Sequence, residues 1–224
     1  VPVNPDFIDV KSLLMGKPTY DINDVNERDR KNKTPLYRAA VRGRVTDVRE
    51  LLAHENIELN DFYMNEDTYA TVLYWACRFP HEEIVGLLLR HPKIEVNKRF
   101  TNGTYSSDSC LHAAMKSKHI GIVKALIEAG VDVNAIGYDK CTPLFHCFNA
   151  ESVKLLCSSN IDVDYTTEYL PGWKITAFQK HCMDGTKNND VVEEMIRLKM
   201  DRGEHTFFES KDMIAFVDTC RKQY

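Results

Sequence analysis

The stretch Lys33-Thr-Pro-Leu-Tyr-Arg-Ala-Ala-Val-Arg-Gly-Arg44 decides the fold. Thr34 is placed to cap a helix through its hydroxyl, and Pro35 suits the first helical position, where no backbone N–H is needed. Leu36, Ala39 and Ala40 put small and apolar groups on one face. Gly43 closes the helix where a left-handed residue is needed. Working outward, the same opening recurs as Thr71-Val-Leu-Tyr-Trp-Ala-Cys, Ser109-Cys-Leu-His-Ala-Ala, Thr142-Pro-Leu-Phe-His-Cys and Thr176-Ala-Phe-Gln-Lys-His-Cys. The separations are 37, 38, 33 and 34 residues.

A second apolar segment at helical spacing follows each opening: Val48 to Leu52, Ile84 to Leu89, Ile122 to Ile127, Val153 to Leu156 and Val191 to Ile196. Four units close alike, with Ile57-Glu-Leu-Asn60, Ile94-Glu-Val-Asn97, Val131-Asp-Val-Asn134 and Ile161-Asp-Val-Asp164. Asp24-Val-Asn26 is the same ending ahead of the first unit. A fixed period of this length is the mark of a stacked array.

These residues resemble ankyrin repeats: the period, the Thr-Pro-Leu-His-like helix start, the Ile-Val-x-x-Leu-Leu second helix and the Asp-Val-Asn ending all match. The resemblance covers roughly residues 6 to 200. It implies an all-α solenoid of about five helix-turn-helix units, at about 27–60, 61–97, 98–134, 135–164 and 165–200. Residues 6–26 are expected to form an N-terminal capping helix and link, with Phe7 to Leu14 at helical spacing. Residues 201–224 are expected to form a C-terminal helical cap. The physics agrees, because each helix is too short to be stable alone and each pair leaves an apolar face for its neighbour to cover.

Departures from the period carry information. The links before Thr71 and Ser109 are lengthened by about four or five residues against a period of about 33. The unit opening at Thr142 has lost residues between its helices, where Phe148-Asn-Ala-Glu-Ser152 replaces the glycine turn. The link Tyr165 to Lys174 is long again and contains Trp173, and Met183 to Asn189 inserts a turn in the last unit.

Composition sets the outer limits. The chain has 224 residues, 43% hydrophobic and 28% charged, in the range of an ordinary globular protein. A formal charge of −4 argues against nucleic acid as a partner. No apolar run approaches the roughly 20 residues that cross a bilayer. The opening Val1-Pro2-Val3 suggests an excerpt or a processed product. Seven cysteines without framework spacing indicate reduced thiols and a cytoplasmic or nuclear location. Several occupy alanine-like positions, which fits small buried residues.

Chemistry has little support. There is no phosphate-cradling glycine loop, no Gly-x-Ser-x-Gly elbow and no His-Glu-x-x-His. Cys110-x-His112, His146-Cys147 and His181-Cys182 each fall on an aligned first helix and read as ordinary helix residues rather than metal ligands. The chain is therefore expected to be non-catalytic, monomeric and without cofactor or metal.

Binding has more. The resemblance implies that the long links project as fingers beside the first helices and form a concave recognition surface. Phe62, Tyr63, Met64, Tyr69, Phe100, Tyr105, Tyr138, Tyr169 and Trp173 fall in or next to these links, joined by Trp75, Arg78 and Arg99. Such aromatic residues serve as interface anchors, and the alternative is that some fold back as packing. Acidic Glu66, Asp67, Asp108 and Glu168 among basic Lys98, Arg99 and Lys174 favour a specific polypeptide partner. The resemblance also implies possible substrates of an asparaginyl hydroxylase that reads Leu and then acid-Val-Asn, with Asn97 and Asn134 as acceptors. The alternative is that these asparagines stabilise the turns between units. A competing class is a ligand-sensing or regulatory domain of a larger enzyme, channel or signalling protein, with Arg38, Arg78, Lys98, Arg99 and Lys174 as candidate cations.

Overall fold

Thr34 caps the helix it opens. Its side-chain oxygen accepts from the Tyr37 N–H at 3.3 Å, and Pro35 stands in the first turn of α1 (Pro35–Val41). Past Arg42 the chain turns through Gly43 at φ +71°, and α2 (Val45–Leu52) packs against α1. A Cβ on Gly43 would lie 2.9 Å from the His81 ring, so backbone sign and space both require glycine.

A computed structural model describes residues 24–65, 68–79, 81–100, 107–170, 173–183 and 189–201. Within these the pair recurs, as α3 (Val72–Arg78) with α4 (Glu82–Leu89) and α5 (Cys110–Ser117) with α6 (Ile120–Glu128). A 3-10 helix (Pro143–His146) then precedes α7 (Ala150–Cys157), and α8 (Ala177–Met183) precedes α9 (Asn189–Asp201). First helices pack on first helices of the adjoining pairs, and second helices on second helices, giving two layers.

The core lies between the layers. Leu36, Leu73, Leu111, Leu144 and Phe178, each two residues past its opening Thr or Ser, are buried. They meet Val48 and Leu51, Ile84 and Leu88, Ile122 and Leu126, Val153 and Leu156, Val191 and Met195 from the second helices, also buried. Ala39, Ala40, Ala76, Ala113 and Ala114 are buried, as are Cys77 and Cys110, where small side chains let neighbouring backbones approach.

The asparagines that close each unit tie the stack together. Asn26 Nδ2 donates to the Asn56 carbonyl at 2.7 Å while its Oδ1 accepts from Glu58 N–H at 3.0 Å. Asn60 bridges Lys93 O and Glu95 N in the same way, Asn97 bridges Gly130 O and Asp132 N, and Asn134 bridges Asn160 O and Asp162 N. Asp164 takes the next place but has no amide donor. Its carboxylate instead accepts from Lys199 Nζ at 3.0 Å, and the ladder stops there.

The helix-rich repeat fits the expected all-α class, with two local features the sequence did not show. Two long links fold into antiparallel hairpins. β1 (Phe62–Asn65) pairs with β2 (Thr68–Thr71), and β3 (Thr166–Leu170) with β4 (Trp173–Thr176). A lengthened link carries extra backbone N–H and C=O groups, and the hairpins satisfy them. The unit opening at Thr142 starts with one 3-10 turn, and Thr142 makes no capping bond. There the missing glycine turn is replaced by Asn149, which accepts from Ser152 N–H at 2.8 Å while Ser152 Oγ accepts from Asn149 N–H. The expected terminal caps, Glu66, Asp67, Tyr105 and most of the Met183 to Asn189 insertion lie outside the described residues.

Candidate interaction surface

Strand alternation sorts the aromatic residues of the second finger. Successive side chains of β1 and β2 point to opposite faces, so Tyr63 and Ala70 turn inward while Met64 and Tyr69 stand outward. Tyr63 and Trp75 were expected at the partner-binding surface; both are buried, at 2% and 3% exposure, and belong to the support instead. The Tyr63 hydroxyl lies 2.9 Å from Thr34 Oγ1, and its ring sits 4.7 Å from that of Tyr37. Trp75 forms the floor of the hairpin, with its Nε1–H donating to the Tyr63 carbonyl at 3.3 Å. Its ring stacks on Phe79 at 5.9 Å and meets Tyr74 edge-on at 5.3 Å. Burial pushes the Tyr63 and Tyr74 hydroxyls up to about 12.

The outward set forms a line across three fingers. Tyr69 stacks on Phe100 at 5.0 Å, and Phe62 meets the same ring edge-on at 5.6 Å. Each such contact adds about 0.5–1.5 kcal/mol beyond area burial. From the third finger, Arg99 Nη1 donates to the Ile136 carbonyl of the fourth at 2.7 Å. Among the described residues the exposed large hydrophobics are Met64, Tyr69, Ile136 and Tyr138, at 55%, 42%, 44% and 69%. Ile136 was not singled out from the sequence. Its signal is positional, since Phe62, Arg99 and Ile136 each stand two residues past a closing asparagine.

Tyr169 lies in β3 and Trp173 in β4, and Tyr105 falls outside the described residues. Arg78 is exposed at the end of α3. Asn97 and Asn134 stand in the ladder between units, with both ends of each amide engaged.

The carboxylates of the fingers are used internally. Asp29 accepts from the Lys31 and Lys33 N–H groups and pairs with Arg38 at 3.2 Å, and against the opposing effect of burial these hold it below the usual carboxylate range. Arg28 pairs with both Glu58 and Asp61. Asp108 pairs with Lys116 at 2.7 Å and accepts from Tyr138 N–H at 3.0 Å; burial opposes these contacts, but they prevail and lower it. Against the opposing effect of desolvation, Asp139 is held well below the usual range by His146 at 3.0 Å, by Lys116 at 3.6 Å and by the Cys141 N–H. His146 Nε2 approaches Asp139 without an aligned hydrogen bond.

The histidines expected as ordinary helix residues have bridging positions. His112 Nε2–H donates to the Cys141 carbonyl at 3.0 Å, and Nδ1 accepts from Ser109 N–H. His181 Nε2 lies 3.1 Å from the Leu144 carbonyl, and His81 Nε2 lies 3.1 Å from that of Val41. Among the described residues no three His, Cys, Asp or Glu gather closely enough to hold a metal ion. Cys77, Cys110, Cys141 and Cys147 are free thiols and buried. No described helix is long and apolar enough to cross a membrane.

Comparison with known proteins bears on the same architecture. The family model for ankyrin repeats (3 copies) matches residues 6–100 and 97–168. The chain is 32% identical over 165 residues to the nuclear factor NF-kappa-B p105 subunit of Gallus gallus, covering 70% of this chain and 16% of that protein. It is 32% identical over 140 residues to alpha-latrocrustotoxin-Lt1a of Latrodectus tredecimguttatus, covering 62% of this chain and 9% of that one. Osteoclast-stimulating factor 1 of Xenopus laevis matches at 34% over 77 residues, 34% of each chain. The chain thus spans only a minor part of the length of these relatives. Its repeated cap, its two helical layers and the matched family model lead to one conclusion: the chain belongs to the ankyrin-repeat family.

Proposed function

We propose that the chain is a non-catalytic recognition module that holds a polypeptide partner along its fingers and first helices, on the concave side expected of such a stack. One observation carries this reading. The large apolar side chains left exposed among the described residues, Met64, Tyr69, Ile136 and Tyr138, all lie in the links and none on the second helices. Apolar groups concentrated at one edge mark an interaction site, whereas scattered ones need no explanation. Phe62, Phe100 and Arg99 belong to the same edge, and Arg78 on the first-helix layer, Tyr105, Tyr169 and Trp173 are further proposed contacts. A monomer in the cytoplasm or nucleus fits the free cysteines, and ankyrin repeats generally mediate protein–protein interaction.

The test replaces Met64 and Tyr69 with alanine and Tyr138 with serine in one variant. Partner capture is expected to fall at least about tenfold while the far-ultraviolet circular dichroism stays unchanged. Undiminished capture overturns the reading.

A further inference from the structure

The two layers differ in charge as well as in position. The first helices, Pro35–Val41, Val72–Arg78, Cys110–Ser117, Pro143–His146 and Ala177–Met183, contain no aspartate or glutamate. Their last turns carry Arg38, Arg78, Lys116, His146 and Lys180. Every second helix carries acid, from Asp47 and Glu50 in α2 to Asp190, Glu193, Glu194 and Asp201 in α9. A chain of net charge −4 has therefore kept its negative groups off the first-helix layer.

The fingers extend this asymmetry. Asp29, Asp61, Asp108 and Asp139 are each closed into an ion pair within the fold. Arg78 and Arg99 have no acidic partner among the described residues, and Arg99 spends one N–H on the Ile136 carbonyl. Arg99 stands beside the apolar line, next to Phe100 in the chain and bonded to the Ile136 carbonyl, while Arg78 is exposed at the end of α3 away from β2.

We propose that the partner is an acidic polypeptide segment, with apolar side chains among its carboxylates, laid across the second, third and fourth fingers. The inference rests on the polypeptide-recognition reading and adds the partner's chemistry. Apolar groups of the segment cover the Tyr69–Phe100 stack and Ile136. Its carboxylates meet Arg99, whose planar guanidinium keeps donors free for a bidentate pair, and Arg78. A basic segment would bring like charge to both arginines, which selects against it.

The probe is a phage-displayed library of random linear peptides, panned against the whole chain. The enriched pool is expected to hold at least about threefold more Asp and Glu than Lys and Arg, together with Phe, Leu or Ile. A selected peptide, followed by fluorescence anisotropy, should lose affinity as sodium chloride rises. Its binding should weaken at least about tenfold with Arg78→Glu plus Arg99→Glu and by less with Arg78→Gln plus Arg99→Gln. A pool that is basic or charge-neutral, or no enrichment at all, overturns the inference. So does an enriched peptide indifferent to the arginine variants when circular dichroism shows them folded. The recognition reading is decided separately by partner capture with the Met64, Tyr69 and Tyr138 variant, so the two can fail independently.

Discussion

Gly43 and Lys118 stand at the same place in their units, nine residues past Thr34 and Ser109, and both have positive φ, +71° and +58°. Only the first has the residue its backbone asks for. Lys118→Gly should therefore stabilise the fold by about 1 kcal/mol, as the left-handed penalty on a side chain is removed. Gly43→Ala should cost about 1–3 kcal/mol, since it adds that penalty and drives a methyl into the His81 ring. Urea denaturation of both variants measures the two signs. His112 makes a second prediction at this scale. Burial lowers its pKa from 6.5 to about 4, and its ring bonds fit the neutral form. Above about pH 6.5 neither folded nor unfolded chain protonates it, and its contribution is complete. Between about 6.5 and 4 the unfolded chain takes up a proton that the folded one refuses. Stability should then fall by up to about 1.4 kcal/mol per pH unit from this group. The difference in denaturation midpoint between the wild type and His112→Gln at pH 7, 6 and 5 isolates its share.

At the scale of elements, the second finger depends on what lies beneath it. The Tyr63 carbonyl is satisfied by Trp75 Nε1–H, inside a nest of rings from Tyr37, Tyr74 and Phe79. Trp75→Phe keeps most of the apolar surface and leaves that carbonyl without its donor, at a cost of about 1–3 kcal/mol. Hydrogen exchange should quicken first in residues 62–65 and 68–71, while the Asn60 and Asn97 bridges keep their protection. This arrangement explains what the sequence could and could not show. The helix pairs were legible because caps, alanines and leucines recur at fixed offsets, a local code that stacking obeys. The hairpins were not, because strands of four or five residues give a weak signal of their own, and the first hairpin lies over a tryptophan supplied by the next helix. Tyr63 was misplaced for the same reason: without the strand, nothing separates it from Met64. The 3-10 turn at Pro143–His146 follows from residues lost between helices, which the spacing revealed as a deletion without showing where the backbone would tighten.

At the scale of the whole molecule, the main helix contacts lie within a pair or between adjoining pairs, so stability is a chain of neighbour interfaces rather than a single shared core. The asparagine ladder follows the same rule, each amide reaching only into the next turn. Such a stack need not respond to a central defect uniformly. Leu126 is fully buried in α6, which packs on α4, α5 and α7. Leu126→Ala should destabilise the protein by about 2–5 kcal/mol through lost burial and the cavity left behind. Because coupling passes only between neighbours, the loss of hydrogen-exchange protection should be greatest in α5, α6 and α7 and fade toward α1 and α2. Equal loss throughout would mean that the stack unfolds as one block. A graded loss would place the pairs under the third and fourth fingers among the elements that can loosen independently, and that is where Arg99, Ile136 and Tyr138 stand.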